Sequence, residues 1–213
     1  MVIELDPHVR TPDLDRATAL ALVTEGRAPQ RRHHRGPAVL FGAGPIGIGT
    51  WFALRSIGAR PIIVAETSRT RRATLEQLGA DCVLDPTATD LVAETLARTD
   101  GEGAAVAIDA AGVAATAGGS LQVLRSRGCA VTIAVQIAPA EVDPNLLLAE
   151  STWTGSSACT TEDFNAVIAQ MAIGHYRTDG SVEHIALDDL TSGLDAIAAG
   201  TALKLLVDIA PQA

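Results

Sequence analysis

The sequence predicts a doubly wound parallel α/β sheet with a short helical extension at its N-terminal end. Short apolar runs alternate with helical segments along residues 38–208, and this alternation is typical of βαβ units in a parallel sheet. The composition agrees, because 47% of the residues are hydrophobic but only 3% are aromatic. A core of Ala, Val, Ile and Leu suits helices that pack on both faces of such a sheet.

The predicted elements follow one another from residue 38. The strands are residues 38–41, 61–65, 82–84, 105–109, 130–135, 152–155 and 204–208, and the helices are residues 45–57, 68–78, 90–99, 114–124, 161–173 and 189–199. Residues 1–37 differ, since 13–25 have the amphipathic pattern of a helix and 26–37 form a basic linker. We therefore divide the chain into an N-terminal helix and linker, residues 1–37, and one sheet domain, residues 38–213.

Charge and cysteine usage exclude several classes of function. The net charge of −9 argues against a nucleic-acid partner, because phosphate binding needs a basic face. No stretch reaches the roughly 18 to 20 apolar residues that span a membrane, and residues 1–6 lack the pattern of a secretion signal. The three cysteines Cys82, Cys129 and Cys159 are too far apart for a zinc motif and lie in or beside apolar runs. We expect packed, reduced thiols and a cytoplasmic protein.

A glycine-rich turn follows the first predicted strand and precedes the first predicted helix. Residues 42–47 read Gly-Ala-Gly-Pro-Ile-Gly, the spacing of a dinucleotide-binding turn. The first glycine permits the tight turn, the second lets a pyrophosphate approach the backbone, and the third permits close helix–strand packing. The free N–H groups of the helix then face the phosphates. The predicted cofactor contacts in this turn are Gly42, Gly44, Pro45, Ile46 and Gly47.

An acid follows the second predicted strand. Glu66 lies 24 residues after Gly42, where a carboxylate accepts hydrogen bonds from the adenosine ribose hydroxyls. Its charge would repel a 2′-phosphate, so the sequence favours NAD over NADP. Three neighbouring arginines, Arg69, Arg71 and Arg72, would soften that preference. The alternative is an ordinary surface acid beside a ligand-free turn.

Six short motifs occur in a fixed order after residue 38. They are residues 42–47, Glu66 with Arg71, residues 78–81 (Leu-Gly-Ala-Asp), residues 107–112 (Ala-Ile-Asp-Ala-Ala-Gly), residues 152–156 (Thr-Trp-Thr-Gly-Ser) and residues 200–204 (Gly-Thr-Ala-Leu-Lys). Through them the chain, from residue 39 onward, resembles the cofactor domain of zinc-dependent medium-chain dehydrogenases, particularly the threonine, sorbitol and butanediol dehydrogenases. The resemblance implies a Rossmann-type three-layer sandwich that binds NAD(H).

The resemblance also implies roles for positions outside the turn. Arg71 matches a basic residue that reaches the adenosine ribose, and Ala111 matches a position that lines the adenine slot. Ser156 and Ala158 match backbone positions near the nicotinamide carboxamide. Lys204, the only lysine in the chain, matches a residue on the pyrophosphate side of the cofactor. Its alternative reading is a solvated side chain at the entry to the last strand.

One position departs from the family. Where the family usually has a glycine, at the end of the fifth strand beside the nicotinamide, this sequence has Val135. A β-branched side chain there would crowd the ring. The sequence therefore supports adenosine binding more firmly than nicotinamide binding.

In the family an N-terminal domain supplies the zinc ligands and most of the substrate pocket, and zinc acts there as a Lewis acid. We find no matching Cys-His-Glu set, so we assign neither a catalytic residue nor a metal ligand. Asp15 falls where the family sometimes has a zinc-site acid, but a helix N-terminal acid is the plainer account. His33 and His34 are read as part of a solvated linker.

Other complete enzymes do not fit. A short-chain dehydrogenase needs a Tyr and a Lys four residues apart, and the only tyrosine, Tyr176, has Gly180 at that distance. Ser120 and Ser157 lack the sequence context of a hydrolase nucleophile.

Three functions stay open at this point. The first is the NAD(H)-binding module of an alcohol dehydrogenase-like oxidoreductase, acting with a separate catalytic protein or as part of a longer enzyme. The second is a non-catalytic NAD(H)-binding sensor or assembly subunit, and the third is a standalone enzyme with an unfamiliar reaction. We also expect a homodimer through the edge at residues 151–155, because the surface that faces an absent domain is exposed.

Overall fold

A computed structural model describes residues 36–136, 138–177 and 180–209. The predicted helix at residues 13–25 and nearly all of the basic linker lie outside the described residues. The strands are β1 (Ala38–Phe41), β2 (Ile62–Ala65), β3 (Val83–Leu84), β4 (Ala104–Asp109), β5 (Leu124–Thr132), β6 (Thr152–Gly155), β7 (Glu183–Ala186) and β8 (Leu205–Asp208). The helices are α1 (Pro45–Ser56), α2 (Arg69–Gln77), α3 (Leu91–Ala97), α4 (Ala114–Gln122), α5 (Thr161–Ala172) and α6 (Leu190–Ala198), with 3-10 turns at Pro144–Ala149 and Leu187–Asp189.

Six strands form one parallel sheet in the order β3-β2-β1-β4-β5-β6. In register, Ala38 of β1 lies between Ile62 of β2 and Val106 of β4. The strand order reverses between β1 and β4, and the carboxyl ends of these two strands border the crevice where doubly wound folds bind ligands. The predicted fold class is confirmed.

The sheet is buried on both faces. Side chains of one face, including Leu40 and Ile108, pack with Leu54 of α1 in the larger core cluster. Side chains of the other face, including Val39 and Ile63, form the second cluster. All four of these strand residues are fully buried, which explains why β1, β2 and β4 read as continuous apolar runs.

The fifth strand differs from its prediction at both ends. β5 begins at Leu124 and ends at Thr132, whereas the sequence predicted residues 130–135. Its early part contains two exposed residues, Ser126 and Arg127, which interrupted the apolar pattern. The pairing with β4 is irregular there, because its register shifts between Ala104 and Val106.

The last part of the chain forms a second, separate sheet. β7 and β8 pair in parallel, with Glu183 opposite Leu205, so the predicted strand at 204–208 exists but does not extend the large sheet. β7 was not predicted, because three of its four residues are exposed. α6 packs closely on this pair through Gly193, since an added Cβ would lie 2.6 Å from a Leu205 methyl carbon and 2.8 Å from an Ile185 one.

The residues that precede β7 and β8 in the chain pack against the core of the six-stranded sheet. The ring of Tyr176 stacks on Phe52 of α1, with centroids 5.5 Å apart, and Leu203 and Val167 pack against the larger core cluster. Within the described ranges, none of the helices is long and apolar enough to cross a membrane.

Candidate functional site

The glycine turn between β1 and α1 needs two of its three glycines for its own fold. Gly42 has φ +95°, and an added Cβ would lie 3.2 Å from the Ala111 Cβ. At Gly47 an added Cβ would overlap the carbonyl oxygen of Gly42. The first and third glycines therefore have the backbone and packing roles that the sequence predicted.

Gly44 is different, because the fold does not require it. Its φ of −70° suits any residue, and an added Cβ would meet nothing within 4 Å. Gly44 is the N-cap of α1, whose first turn has neither an acid nor a side-chain cap, and Ile46 beside it is exposed. The turn thus leaves the uncapped N–H groups at the start of α1 accessible, and such groups can bind an anion such as a phosphate.

Glu66 joins the glycine turn to the start of α2. Its side chain is only 5% exposed. One oxygen, Oε2, accepts the backbone N–H of Ala43 at 2.7 Å, and the other, Oε1, accepts that of Ser68 at 2.8 Å. Oε1 also accepts the Thr67 hydroxyl at 3.4 Å. Each carboxylate oxygen has about two acceptor sites, so it is Oε2 that keeps a lone pair for a ribose hydroxyl.

The three arginines near Glu66 have different surroundings. Arg71 lies beside the carboxylate, with Nη1 3.9 Å from Oε2, and its Nε has no hydrogen-bond partner among the described residues. Arg72 donates to the carbonyl oxygens of Glu66 and Thr67, both at 2.7 Å, and lies 2.9 Å from an oxygen of Asp85. Arg72 therefore braces the loop, while Arg71 remains available to a ligand.

Asp109 is a buried carboxylate beside the site, and the sequence analysis gave it no role of its own. It ends β4 and is fully buried. Its Oδ1 accepts the N–H groups of Ala111 and Gly112, each at 3.0 Å, and its Oδ2 accepts Nε2 of Gln136 at 2.9 Å. This carboxylate fixes the loop that carries Ala111, the predicted adenine neighbour. The only local signal was an acid at the end of a buried strand.

The loops after β5 and β6 hold the residues predicted near the nicotinamide. Val135 lies three residues beyond β5, not at its end as expected, and its side chain is 85% exposed. Ser156 directly follows β6 and donates its N–H to the Thr132 carbonyl at 3.0 Å, and Ala158 has φ +65°. These residues, the glycine turn, Glu66 and Ala111 all lie at the carboxyl ends of the parallel strands.

A sequence profile described as zinc-binding dehydrogenase matches residues 45–172. The chain belongs to the zinc-binding dehydrogenase family. It is similar to the probable diacetyl reductase ((R)-acetoin forming) 2 of Saccharomyces cerevisiae, with 33% identity over 79% of this chain and 41% of that protein. Its identity to the (R,R)-butanediol dehydrogenase of Bacillus subtilis is 32%, over 72% of this chain and 44% of that enzyme.

A comparison with solved structures supports the same family. The crystal structure of 2R,3R-butanediol dehydrogenase from Bacillus subtilis superposes with a TM-score of 0.78, at 32% identity, over 92% of this chain and 56% of that one. The chain thus spans about half the length of the relatives it matches, and the matched half is the NAD-binding region. The predicted family and the predicted cofactor, NAD, are confirmed.

Lys204 lies outside the six-stranded sheet, whose strand ends carry the other predicted cofactor contacts. It precedes β8 in the second sheet, and its side chain is exposed. Its carbonyl accepts the N–H of Glu183 at 2.9 Å, which pairs β7 with β8. The position thus has a backbone role in the second sheet, and its side-chain contact with a pyrophosphate stays a prediction.

The cysteines divide into two groups. Cys82 and Cys129 are half-buried, and burial raises the pKa of both thiols, that of Cys129 to about 11. Both thiols are therefore protonated at neutral pH. Cys159 is exposed, so the expectation of a packed thiol is wrong there; it follows β6 in a loop rather than within an apolar run. Among residues 36–136, 138–177 and 180–209, no group of three or more His, Cys, Asp or Glu side chains could hold a metal ion.

Proposed function

We propose that this chain is the NAD(H)-binding module of an alcohol dehydrogenase-like oxidoreductase, with the cofactor across the carboxyl ends of β1, β2, β4, β5 and β6. The observation that carries the proposal is the pairing of an open glycine cradle at Gly44 with a buried carboxylate at Glu66, bonded directly to that turn. A glycine that the fold does not need, at an uncapped helix start, is explained by a phosphate group that comes close to its backbone.

Each half of the cofactor has its own residues. The N–H groups at the start of α1 would receive the pyrophosphate, Glu66 and Arg71 would receive the adenosine ribose, and Ala111 would line the adenine. The backbone at Ser156 and Ala158 would hold the nicotinamide carboxamide. The bound dinucleotide supplies the hydride acceptor or donor, and the chain supplies orientation.

NAD is preferred over NADP in this proposal. A 2′-phosphate would approach Glu66, whose buried charge repels it. Arg72, which would have the charge to compensate, is engaged with two carbonyl oxygens and Asp85. That leaves Arg71, and the exposed Arg69, to soften the preference.

The substrate class and the partners are further parts of the proposal. Two relatives are a butanediol dehydrogenase and a diacetyl reductase, which supports hydride transfer to or from a small alcohol or carbonyl compound. We place this activity in the cytoplasm. The zinc and the substrate pocket would come from a separate catalytic protein or from another part of a longer chain. Two copies would pair through β6, whose Trp153 is 43% exposed.

A non-catalytic NAD(H) sensor is the second candidate. It is favoured by Val135, whose side chain stands 85% exposed in the loop beyond β5, where it would crowd a nicotinamide ring. A sensor of this kind would keep the adenosine half of the site. It would bind NAD(H) and ADP-ribose with the same affinity.

Calorimetric titration of the chain with NAD+, NADH and ADP-ribose separates these functions. The oxidoreductase proposal expects NADH to bind more tightly than ADP-ribose, and Glu66→Ala to weaken both. Glu76→Ala, which removes an exposed acid of α2, is the matched control and should change nothing. Equal affinity for all three ligands would favour the sensor. If none of them bound, both the oxidoreductase module and the sensor would be excluded.

A further inference from the structure

Arg72, in the first turn of α2, is held by three acceptors beside the proposed ribose site. Its Nη1 donates to the carbonyl oxygens of Glu66 and Thr67, each at 2.7 Å, and its Nη2 lies 2.9 Å from Oδ2 of Asp85. The side chains of Arg72 and Asp85 are only 19% and 26% exposed. The guanidinium thus lies within one hydrogen bond of the backbone of Glu66, the acid proposed to receive the adenosine ribose.

Asp85 directly follows β3, and its carboxylate is fixed by a turn. Oδ1 accepts both the N–H and the hydroxyl of Thr87, at 3.0 and 2.6 Å, which leaves Oδ2 for Arg72. The hydrogen bonds from Thr87, together with the charge of Arg72, lower the pKa of Asp85, so this carboxylate is ionised at neutral pH. Asp85 therefore presents a fixed negative charge to Arg72.

The charge of Arg72 bears on which dinucleotide the site accepts. In dinucleotide-binding folds an acid after the second strand hydrogen-bonds the ribose 2′-hydroxyl of NAD, whereas a nearby arginine accommodates the 2′-phosphate of NADP. This chain has both residue types at that place, because Glu66 follows β2 and Arg72 contacts its carbonyl oxygen. Asp85 offsets the positive charge of Arg72 and occupies its Nη2.

Arg71 and Arg72 are paired with different acids. Arg71 lies beside Glu66 itself, with 3.9 Å between Nη1 and Oε2, so its charge is offset by the acid that receives the ribose. Arg72 is paired with an acid of the neighbouring strand end that has no assigned contact with the cofactor. Neutralising Asp85 therefore frees the charge of Arg72 and leaves Glu66 unchanged.

We propose that Asp85 is a specificity-determining residue, which favours NAD over NADP by holding Arg72 away from a 2′-phosphate. This inference rests on the proposed NAD(H) site and adds to it a second acid, which acts through Arg72. Glu66 repels the 2′-phosphate directly, whereas Asp85 withholds a cation that would attract it.

Calorimetric titration of the full chain with NAD+ and NADP+ tests the proposal through the ratio of the two affinities. Asp85→Asn keeps an amide oxygen for Thr87 and turns an NH2 group, which cannot accept, toward Arg72. NADP+ should bind this variant about tenfold more tightly than it binds the wild type, because a charged donor becomes available to the phosphate. NAD+ should bind both alike. A loss of local structure would instead weaken both ligands together.

Two further variants assign the effect to the pair. Arg72→Gln added to Asp85→Asn should abolish the gain in NADP+ affinity, since the freed cation is then absent. Asp85→Ser, which also offers Thr87 an acceptor, should reproduce the gain with a different neutral side chain. Asp81→Asn removes an exposed acid before β3 and, as the matched charge control, should leave the ratio unchanged. Added salt should reduce the gain, because it screens a charge near the surface.

The same titrations with ADP-ribose and 2′-phospho-ADP-ribose read only the adenosine half of the site, and should show the same shift. If the wild type bound NAD+ but neither neutral variant changed the ratio, this inference alone would be overturned. A gain that persisted without Arg72 would also overturn it. If the wild type bound neither NAD+ nor ADP-ribose, the proposed function would fail, and this inference would fail with it.

Discussion

The six-stranded sheet and the β7–β8 sheet are both parallel, yet they are stabilised in different ways. In β1 and β4 every residue is buried, with helices on both faces. In β7 three of four residues are exposed, and β8 has no fully buried residue. The six-stranded sheet and its helices thus contain their own core. The β7–β8 sheet instead depends on α6, which packs on it through Gly193, and on cover for its exposed face.

This difference predicts different sensitivity to the loss of a side chain. Leu40→Ala removes a fully buried side chain of β1 and should lower the free energy of unfolding by about 2–5 kcal/mol, from lost burial and the cavity left behind. Leu206→Ala, in β8 and 44% exposed, should cost less than about 1 kcal/mol. Urea unfolding of both variants measures the contrast, and equal losses would mean that β8 is as well covered as β1.

The buried Asp109 carboxylate gives the next largest expected effect. Asp109→Ala leaves the buried N–H of Gly112 without its acceptor and should destabilise the chain by about 1–3 kcal/mol. Asp109→Asn keeps an acceptor of the same shape and should recover most of that loss. Thermal unfolding compares the two, with Glu141→Ala, which removes an exposed acid, as the control. If Asp109→Asn lost as much stability as Asp109→Ala, the negative charge of Asp109, and not its role as an acceptor, would be what stabilises the loop.

The contrast between the two regions also explains what sequence could predict. β1, the glycine turn, α1 and β2 were predicted within one or two residues, because buried parallel strands and a tight turn leave a local pattern of apolar runs and glycines. β7 left no such pattern, since Glu183 and His184 are exposed. The early part of β5 was missed for the same reason, because Ser126 and Arg127 are solvated.

Within the site, the contacts that the sequence did not predict join residues that are far apart along the chain. Gln136 reaches Asp109 from 27 residues away, and Arg72 reaches Asp85 at the end of β3. Neither pair has a local motif, because each joins different elements: α2 to the end of β3, and the loop after β5 to the end of β4. The glycine turn and Glu66 were found because their spacing is itself set by one βαβ unit.

Gly44 separates what the fold needs from what a ligand needs. Gly44→Ala should change the free energy of unfolding by less than about 1 kcal/mol, since its φ suits alanine and the added Cβ meets open space. It should weaken NADH binding about tenfold, equivalent to about 1.4 kcal/mol, by filling the approach to the helix start. Gly49→Ala, whose added Cβ also meets nothing, is the matched control. Calorimetry that finds equal affinities in both variants would contradict a pyrophosphate at this turn.

The smallest expected effect concerns the thiols of the first region. Cys129 lies in β5, and burial raises its pKa from 9.0 to about 11. Because the folded chain holds this proton more tightly than the unfolded chain, the contribution to stability is complete below pH 9 and disappears as the pH rises through about 11. Wild type should therefore lose more stability than Cys129→Ala between these values, as measured by urea unfolding.

Thiol labelling checks the same contrast at pH 8. Exposed Cys159 should react with an aromatic disulfide reagent well before Cys82 and Cys129, whose raised pKa values keep them protonated. Addition of urea should bring all three to one rate, since the difference arises from burial. Rapid labelling of Cys129 in the folded chain would mean that β5 opens more easily than an interior strand of the six-stranded sheet should. The six-stranded sheet and the β7–β8 sheet would then differ less in stability than their burial implies.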